Sequence, residues 1–277
     1  MNISKIKHKV ETAVAKASFD LRPDVHRLIK RAYLKESNSR ARKGLKWILD
    51  NAQLAAIERL AICQDTGLPI VFIEASKKVK ISALLIETIK KGVEDGFRKN
   101  SLRASIVDPI ERKNPSYKGV ICHLNFSTGI KGLKVIIFPK GFGSENKSAL
   151  KMFNPTASLE EIEDFIVKTV NDAAPEACPP FVVGVGIGGT ADYALLLAKK
   201  ALLDRVDKSN SNKILKTMEG NILKKINKLG IGPMGFGGKT TALAVKIKKT
   251  STHIAGLPVG VNVGCHALRS ATIDIKI

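Results

Sequence analysis

The sequence predicts a mixed α/β fold, a helix-rich domain around a small central sheet that is mixed and largely antiparallel. Apolar residues recur at helical spacing through the first hundred residues, and β-rich apolar runs begin only after them. Helical periodicity then returns between further apolar runs. Without a repeat or long linker, we expect a single domain over residues 1–277 with a helical N-terminal segment over 1–100.

The helical pattern in that segment covers residues 3–19, 25–34, 45–62 and 81–97. Ser158 followed by Glu161 forms a capping box, which predicts a helix over 158–170. Residues 191–204 and 210–228 have the same periodicity.

Two β-rich runs, 118–126 and 133–139, are separated by a short polar turn that contains glycine, which predicts a hairpin. Residues 181–187 form another apolar run and predict a strand. Further strands or extended segments are expected over 243–247, 257–263 and 271–277.

Composition indicates a folded cytoplasmic protein. The chain is 44% hydrophobic, and it contains neither the roughly 18 to 20 consecutive apolar residues of a membrane helix nor an N-terminal signal sequence. Its four cysteines lie far apart without a CxxC pair, as expected in a reducing compartment. No membrane partner is therefore expected.

The chain carries 46 Lys+Arg against 25 Asp+Glu, a formal net charge of +21. This surplus attracts anions, either nucleic acid or dianionic substrates, and it also suits a surface that faces an acidic partner. Aromatic residues make up only 5% of the chain, and no dense basic tract appears. No nucleic-acid partner is expected, and a nucleotide- or nucleic-acid-binding module is kept as a distant alternative.

The stretch GVGIGG, from Gly184 to Gly189, fits the GxGxxG pattern that binds a dinucleotide pyrophosphate. That function also requires a second parallel strand with an acidic end about twenty residues later. Here the chain continues instead into a lysine-rich helix. We expect these glycines to let a strand turn tightly into the helix after Thr190.

A second glycine-rich stretch, from Gly232 to Thr240, is similar to a phosphate-binding P-loop. Its outer glycines are one residue too far apart for GxxxxGK[ST], and Pro233 stands where that motif needs glycine. Nucleoside triphosphate binding is therefore not expected. The loop is predicted to offer backbone N–H groups and Lys239 to a small carboxylate or a cluster sulfide.

Three cysteines occupy loop-like contexts: Cys63 in ICQDTGLP, Cys178 in PEACPPF and Cys265 in VGVNVGCHAL. Their separations of 115 and 87 residues are far too long for a local metal motif. The residues alone leave two interpretations open. The thiolates either meet in a metal site or are buried as small hydrophobes.

A series of motifs runs in order from about residue 60 to residue 268. They are ICQDTGLPIVFIE, LRASIVDP, GFGSENKSALKMFNP, ACPPFVVGVGIGGTAD, GIGPMGFGGKTTALAVKI and THIAGLPVGVNVGCHA. Together they resemble the catalytic N-terminal region of class I fumarate hydratases and of L-tartrate dehydratases. The resemblance covers nearly the whole chain.

The resemblance implies a [4Fe–4S] cluster ligated by Cys63, Cys178 and Cys265. Three thiolates leave one iron open, and an open position makes the cluster a Lewis acid. The implied activity is the reversible hydration of fumarate to L-malate, with L-tartrate dehydration as the alternative. Cys122 matches no ligand motif and is expected in a core strand.

The matching motifs also imply roles for five other residues. Asp65 and His253 are expected to be catalytic, and Gln64, Arg103 and Gly143 are expected to bind substrate. An alternative for Asp65 is that it caps the local turn together with Thr66.

The residues around two of these positions carry further information. Around Gly143 many family members read GGGSAN, so Phe142 and Glu145 depart from the pattern. His266, beside Cys265, is expected to support the site without acting directly.

Family members that consist of one chain carry a further C-terminal domain, whereas two-subunit members place it on a smaller partner. The resemblance therefore implies that this chain is the alpha subunit and that a beta subunit completes the active site. An assembly of two alpha and two beta subunits is expected, with a small dicarboxylate, fumarate or malate, as substrate.

Overall fold

The computed structural model describes residues 3–275, and it confirms the mixed α/β fold class. The helices are α1 (Ile3–Phe19), α2 (Pro23–Lys35), α3 (Ser39–Glu58), α4 (Ala83–Lys99), α5 (Phe142–Glu145), α6 (Leu159–Ala173), α7 (Ala191–Ala201) and α8 (Lys213–Lys228). The strands are β1 (Leu68–Ser76), β2 (Ile121–Ser127), β3 (Leu133–Lys140), β4 (Ala149–Phe153), β5 (Phe181–Gly189), β6 (Ala242–Thr252), β7 (Leu257–Gly264) and β8 (Ala271–Ile275). The last two residues of the strand predicted over 271–277 lie outside the described residues.

Contacts divide the chain into two compact units. The first unit contains Met1–Arg22, Ala52–Phe142 and Arg269–Ile277, and the second contains Pro23–Asn51 and Gly143–Leu268. The prediction of a single domain over 1–277 stays a prediction. The N-terminal segment 1–100 holds four helices as expected, but it also holds the strand β1.

The first unit is built on a four-stranded sheet in the order β2-β1-β3-β8. β2 runs parallel to β1, whereas the β1–β3 and β3–β8 pairs are antiparallel. Val71 and Ile73 of β1 belong to a core that includes Val10 of α1 and Ile89 of α4. Burial of these apolar faces is the main force that holds the helices on the sheet.

The second unit contains the other sheet, in the order β4-β7-β5-β6. β5 and β6 are parallel, while β7 is antiparallel to both β5 and β4. Ile166 of α6 and Ile222 of α8 are fully buried in a core with Val183 of β5 and Val261 of β7. The capping box predicted at the start of α6 is present, since Ser158 Oγ accepts from Glu161 N and Glu161 Oε2 accepts from Ser158 N.

The predicted hairpin between the runs 118–126 and 133–139 is wrong. Both runs form strands of one sheet, but β1 lies between β2 and β3 and pairs with each of them. β1 is buried over most of its length. A strand buried on both faces belongs in the middle of a sheet, so this apolar run displaced the local pairing.

The GVGIGG stretch lies in β5, where its first two glycines allow α7 to pack against the sheet. A Cβ on Gly184 would approach Ala198 O of α7 to 2.1 Å, and one on Gly186 would approach Ala194 O to 2.0 Å. Gly188 and Gly189 have φ of +91° and +74°, which favours glycine as the chain turns into α7. The turn was predicted, whereas the close helix–strand packing was not.

The loop 232–240 uses most of its backbone N–H groups within the second unit. Gly232 N donates to Thr241 Oγ1, Met234 N to Pro179 O, Gly237 N to Ile231 O, and Lys239 N to Glu36 Oε2. The expectation that this loop offers those N–H groups to an anion is therefore wrong. The Glu36 carboxylate, which is buried in the chain, accepts the N–H of Lys239 instead.

Within residues 3–275, no helix is long and apolar enough to cross a membrane.

Candidate active site

The loop that carries Cys63 ends α3 and leads into β1 in the first unit. Gly67 has a φ of +83°, and a Cβ there would meet backbone atoms of Pro139 and Lys140 at 2.8 to 2.9 Å. Only glycine allows this approach, which brings the Cys63 loop against the end of β3.

Both oxygens of the Asp65 carboxylate accept backbone N–H groups. Oδ1 accepts from Gly67 N at 3.0 Å and Oδ2 accepts from Phe142 N at 2.6 Å. Asp65 therefore caps its own turn, as the alternative interpretation held, with Gly67 as the donor. Two backbone hydrogen bonds to one carboxylate fix its orientation.

Arg269 Nη2 donates to the carbonyl oxygen of Asp65, also within the first unit. The side chain of Arg269 is 4% exposed, and its Nε is buried without a hydrogen-bond partner in the described part of the chain. A buried guanidinium that holds a backbone carbonyl restrains the Cys63–Asp65 loop. Sequence reasoning missed Arg269, although a cation four residues after a proposed ligand was a possible signal.

Thr66 connects the same loop to Arg103. The N–H of Arg103 donates to Thr66 Oγ1 at 3.1 Å, and that hydroxyl donates to Arg103 O at 3.5 Å. The side chains of Arg103 and Gln64 are exposed and form no ion pair or hydrogen bond with the described residues. The hydrogen bonds of Thr66 thus hold the loop that carries Gln64 and Asp65 against the backbone of Arg103.

Cys178 and Cys265 lie at one edge of the second sheet. Cys178 comes shortly before β5, and Cys265 directly follows β7, which is antiparallel to β5 with Gly264 opposite Val182. His266 N donates to Cys178 O at 3.3 Å, which joins the two cysteine segments. Cys178 has a φ of +58° and is exposed, so its backbone is held in a left-handed turn on the surface of this unit.

The ring of His266 strengthens the same connection, because its Nδ1 lies 3.1 Å from Cys178 O. A carbonyl oxygen can only accept, so Nδ1 carries the proton. His266 thereby orients the Cys178 segment through its backbone carbonyl. The supporting role expected for His266 stays a prediction.

Cys122 lies in β2 and packs against the core of the first unit. Burial raises the pKa of its thiol to about 11. A thiol with that pKa stays protonated near neutrality, whereas a metal ligand must be a thiolate. The physical chemistry of Cys122 is that of a strand residue.

Gly143 is exposed, and a Cβ placed on it would meet no atom within 4 Å. Glu145, which departs from the family pattern, accepts hydrogen bonds from Lys199 Nζ and from Asn262 Nδ2, the latter at 2.9 Å. Asn262 is 1% exposed, and its Oδ1 has no hydrogen-bond partner among the described residues. The departure at Glu145 thus supplies an ion pair and an acceptor for a buried amide.

His253 lies at the other end of the second sheet from Cys178 and Cys265. It follows β6, whose last residue Thr252 is paired with Gly189 at the end of β5. The structure therefore does not bring His253 together with the two cysteines of its own unit.

None of the four cysteines forms a disulfide bond. Across residues 3–275, no group of three or more histidine, cysteine, aspartate or glutamate side chains is arranged to hold one metal ion. A cubane cluster does not require three ligands around one metal ion, because each cysteine binds a different iron. The donor chemistry of Cys63, Cys178 and Cys265 fits such a cluster, since all three lie in loops and Cys178 is exposed.

Comparison with known proteins gives a consistent result. The family model described as Fumarate hydratase (Fumerase) matches residues 7–274. A protein of Methanocaldococcus jannaschii named putative L(+)-tartrate dehydratase subunit alpha is 41% identical over 99% of this chain and 98% of its own length.

Two further relatives are more distant. A putative class I fumarate hydratase of Geobacillus stearothermophilus is 31% identical over 99% of this chain, which spans only 55% of that protein. The L(+)-tartrate dehydratase subunit alpha of Escherichia coli is 26% identical over 99% of this chain and 91% of its own length.

Proposed function

Since the chain belongs to the fumarate hydratase family of hydro-lyases, we propose that it is the alpha subunit of a two-subunit enzyme that reversibly hydrates fumarate to L-malate. One observation carries most weight. Cys178 and Cys265, far apart in the chain, reach one sheet edge and are joined there through His266. Such an arrangement places the backbone segments of the two cysteines side by side at one end of the second sheet.

Cys63, Cys178 and Cys265 would hold a [4Fe–4S] cluster with one iron free of cysteine. When bound, the cluster supplies an open iron that acts as a Lewis acid toward the substrate hydroxyl. The chain's own residues bind and orient the dicarboxylate. Dehydration of malate removes a proton from the carbon beside one carboxylate and hydroxide from the neighbouring carbon, which yields fumarate and water.

Arg103 is proposed to bind one substrate carboxylate. Its guanidinium is exposed and has no acidic partner among the described residues, and its planar donors suit a bidentate contact. Gln64 offers an amide on its loop, and the open space beside Gly143 is proposed to admit the substrate. These donors stabilise negative charge that develops on the carboxylate during proton abstraction.

Asp65 is proposed to move the proton at the substrate hydroxyl. Its two backbone hydrogen bonds fix the carboxylate in one orientation. A carboxylate held in one orientation can accept a proton without first reorganising. His253 is proposed as the second catalytic group, through a hydrogen bond from its imidazole.

A beta subunit is proposed to supply the remaining carboxylate-binding cations and the base that removes the carbon-bound proton, in an assembly of two alpha and two beta subunits. The names of the Methanocaldococcus jannaschii and Escherichia coli relatives, each a subunit alpha, support a partner. We infer a cytoplasmic location, because a thiolate-held cluster needs a reducing compartment.

Dehydration of L-tartrate is the second candidate. The relative that is 41% identical over nearly its full length is named for that substrate. Tartrate has one more hydroxyl than malate and undergoes the same elimination. Selection between the two depends on groups that contact that hydroxyl.

The test is an anaerobic assay of the purified chain after cluster reconstitution, with and without its partner subunit, on malate and on L-tartrate in parallel. We expect little turnover from the chain alone and strong malate dehydration with the partner. Full activity of the isolated chain would contradict the shared site. Faster turnover of L-tartrate than of malate would identify L-tartrate as the preferred substrate. Inactivity on both compounds would reject the proposed function.

A further inference from the structure

A cleft of about 600 Å³ lies in the second unit, beside β6. β6 is an edge strand, because only β5 pairs with it among the described residues. The cleft is lined by residues 246–249 of β6, by residues of the connection 204–212 between α7 and α8, and by Leu197 and Leu215 of those helices. A cavity of this size holds a small organic molecule. None of its lining residues is among those proposed for fumarate hydration.

The charges around this cleft are unbalanced. Of the described residues that line it, one is a carboxylate, Asp204, and five are cations: Arg205, Lys208, Lys246, Lys248 and Lys249. Lys248 pairs with Asp204 at 2.7 Å, whereas Lys208 and Lys249 are exposed and form no ion pair with the described residues. Unpaired cations beside one cavity repel each other, and a bound anion would relieve that repulsion.

The connection between α7 and α8 is fixed in place by buried groups. Lys246 is 5% exposed, and its Nζ donates to the backbone carbonyl of Lys208 at 2.7 Å. Asn210 Nδ2 donates to Ile247 O at 3.1 Å and to Glu219 Oε1 at 2.9 Å. Glu219 is buried as well, and its Oε2 accepts from Lys246 Nζ at 3.4 Å. This network orders the backbone of the connection and leaves the ammonium group of Lys208 unused.

Two hydroxyl groups of the same connection also line the cleft. Ser209 and Ser211 are exposed, and neither forms a hydrogen bond with the described residues. Asn210 lies between them, and its Oδ1 accepts from Asn212 N at 3.0 Å, which fixes the turn into α8. Hydroxyls and unpaired ammonium groups therefore line one cavity on an ordered backbone.

Apolar side chains form another part of the wall of the cleft. Leu197 and Leu215 are each 7% exposed, and Ile247 is 2% exposed. An apolar wall beside a few polar groups is typical of a site for a small molecule. A phosphate group suits these polar groups better than a carboxylate, because its three terminal oxygens can accept from hydroxyls and ammonium groups together.

We propose that this cleft binds a small phosphate-bearing molecule through the ammonium groups of Lys208 and Lys249 and the hydroxyls of Ser209 and Ser211. The phosphate accepts hydrogen bonds from these donors, and the rest of the ligand lies against the apolar wall. Binding is non-covalent and involves no chemical step. The site goes beyond the proposed function and does not rest on it, so each is tested separately.

Calorimetric titration of the full-length chain with pyrophosphate and with adenosine 5′-diphosphate tests the proposal. At constant ionic strength we expect saturable binding of one ligand per chain. Tighter binding of adenosine 5′-diphosphate would identify an organic phosphate as the ligand, and tighter binding of pyrophosphate an inorganic one. Absence of saturable binding of either probe would overturn the site.

Substitution of both unpaired lysines should weaken this binding strongly. The variant Lys208→Ala, Lys249→Ala is expected to bind pyrophosphate about a hundredfold more weakly, because each charge-assisted hydrogen bond contributes about tenfold. The matched control is Lys224→Ala, Lys228→Ala, which removes the same charge from exposed positions of α8 outside the cleft. Its affinity should equal that of the wild type. Equal losses in both variants would show non-specific attraction to the net charge of +21 and would overturn the site.

Two further measurements test whether the cleft is built for phosphate. Ser209→Ala, Ser211→Ala leaves the net charge unchanged and should weaken pyrophosphate binding about fivefold, since neutral hydrogen bonds are lost. Unchanged affinity would overturn the proposed hydroxyl contacts. L-Malate should bind the cleft about tenfold more weakly than pyrophosphate. Equal affinity for malate, lost in the Lys208→Ala, Lys249→Ala variant, would overturn phosphate as the ligand.

Discussion

Individual residues in this chain are held by backbone groups at the points where chemistry is proposed. Asp65 accepts two N–H groups, and Arg269 holds its carbonyl oxygen. The carbonyl of Cys178 is held by His266. These bonds fix orientation before any ligand binds, which is how a site reduces the reorganisation needed during a reaction.

At Gly143 we expect an alanine to impair substrate binding without harming the fold. A Cβ at this position meets no atom within 4 Å, and the backbone φ is not in the left-handed region, so the protein accommodates it. The methyl group would occupy the open space beside Gly143 that is proposed to admit the substrate. The expected result is a KM for malate raised about tenfold or more, about 1.4 kcal/mol of lost binding.

Gly220→Ala is the matched control for that variant. Gly220 also has open space around its Cβ position, but it lies in α8 and away from the proposed substrate groups. Its KM should equal that of the wild type. Equal kinetics for Gly143→Ala, measured on the reconstituted enzyme with its partner, would remove Gly143 from the site.

At the scale of elements, glycines decide how α7 packs on its sheet. Gly184 and Gly186 in β5, and Gly260 in β7, all face backbone atoms of α7 at distances that leave no room for a Cβ. The GxGxxG pattern in this chain therefore reflects close helix–strand packing. The helix it admits follows β5 directly and leads through α8 to the parallel strand β6.

Gly186→Ala is expected to destabilise the protein by about 3 kcal/mol, because the new methyl group would overlap the Ala194 carbonyl and force α7 from the sheet. Urea unfolding of the cluster-free chain under reducing conditions measures the change. Gly220→Ala, in the interior of α8, should instead be neutral or raise stability by up to about 1 kcal/mol. A Gly186→Ala chain as stable as wild type would contradict the packing argument.

For the whole molecule, the net charge of +21 is the dominant electrostatic feature. Several lysines, including Lys208 and Lys249, form no ion pair among the described residues. Like charges repel in the compact state, and salt screens that repulsion. The same surplus raises the local concentration of dicarboxylate anions.

We therefore expect the Tm of the cluster-free chain to rise by several degrees between 20 and 500 mM sodium chloride, since about 2 to 4 °C corresponds to 1 kcal/mol at this size. A Lys208→Glu, Lys249→Glu variant should have a higher Tm at low salt and a smaller salt dependence. Calorimetry under reducing conditions gives both values. A Tm that falls with salt would show that ion pairs outweigh the repulsion.

The sequence by itself determined the local elements and the family. Helical periodicity located the helices, Ser158 and Glu161 fixed the start of α6, and the motif series around Cys63, Cys178 and Cys265 led to the hydro-lyase family that the comparisons confirm. These features depend on neighbours within a few residues or on motifs read along the chain. The assignment of site residues remains a prediction to be tested.

Only the tertiary structure decided which remote segments meet. It placed β1 between β2 and β3, it filled the space beside Gly184 and Gly186 with α7, and it separated His253 from Cys178 and Cys265 by the length of β5. His253 and Cys265 are only twelve residues apart in the sequence, but β7 lies between them, so they are at opposite ends of the sheet. Strand pairing and burial act between distant segments, so local patterns leave those distances open.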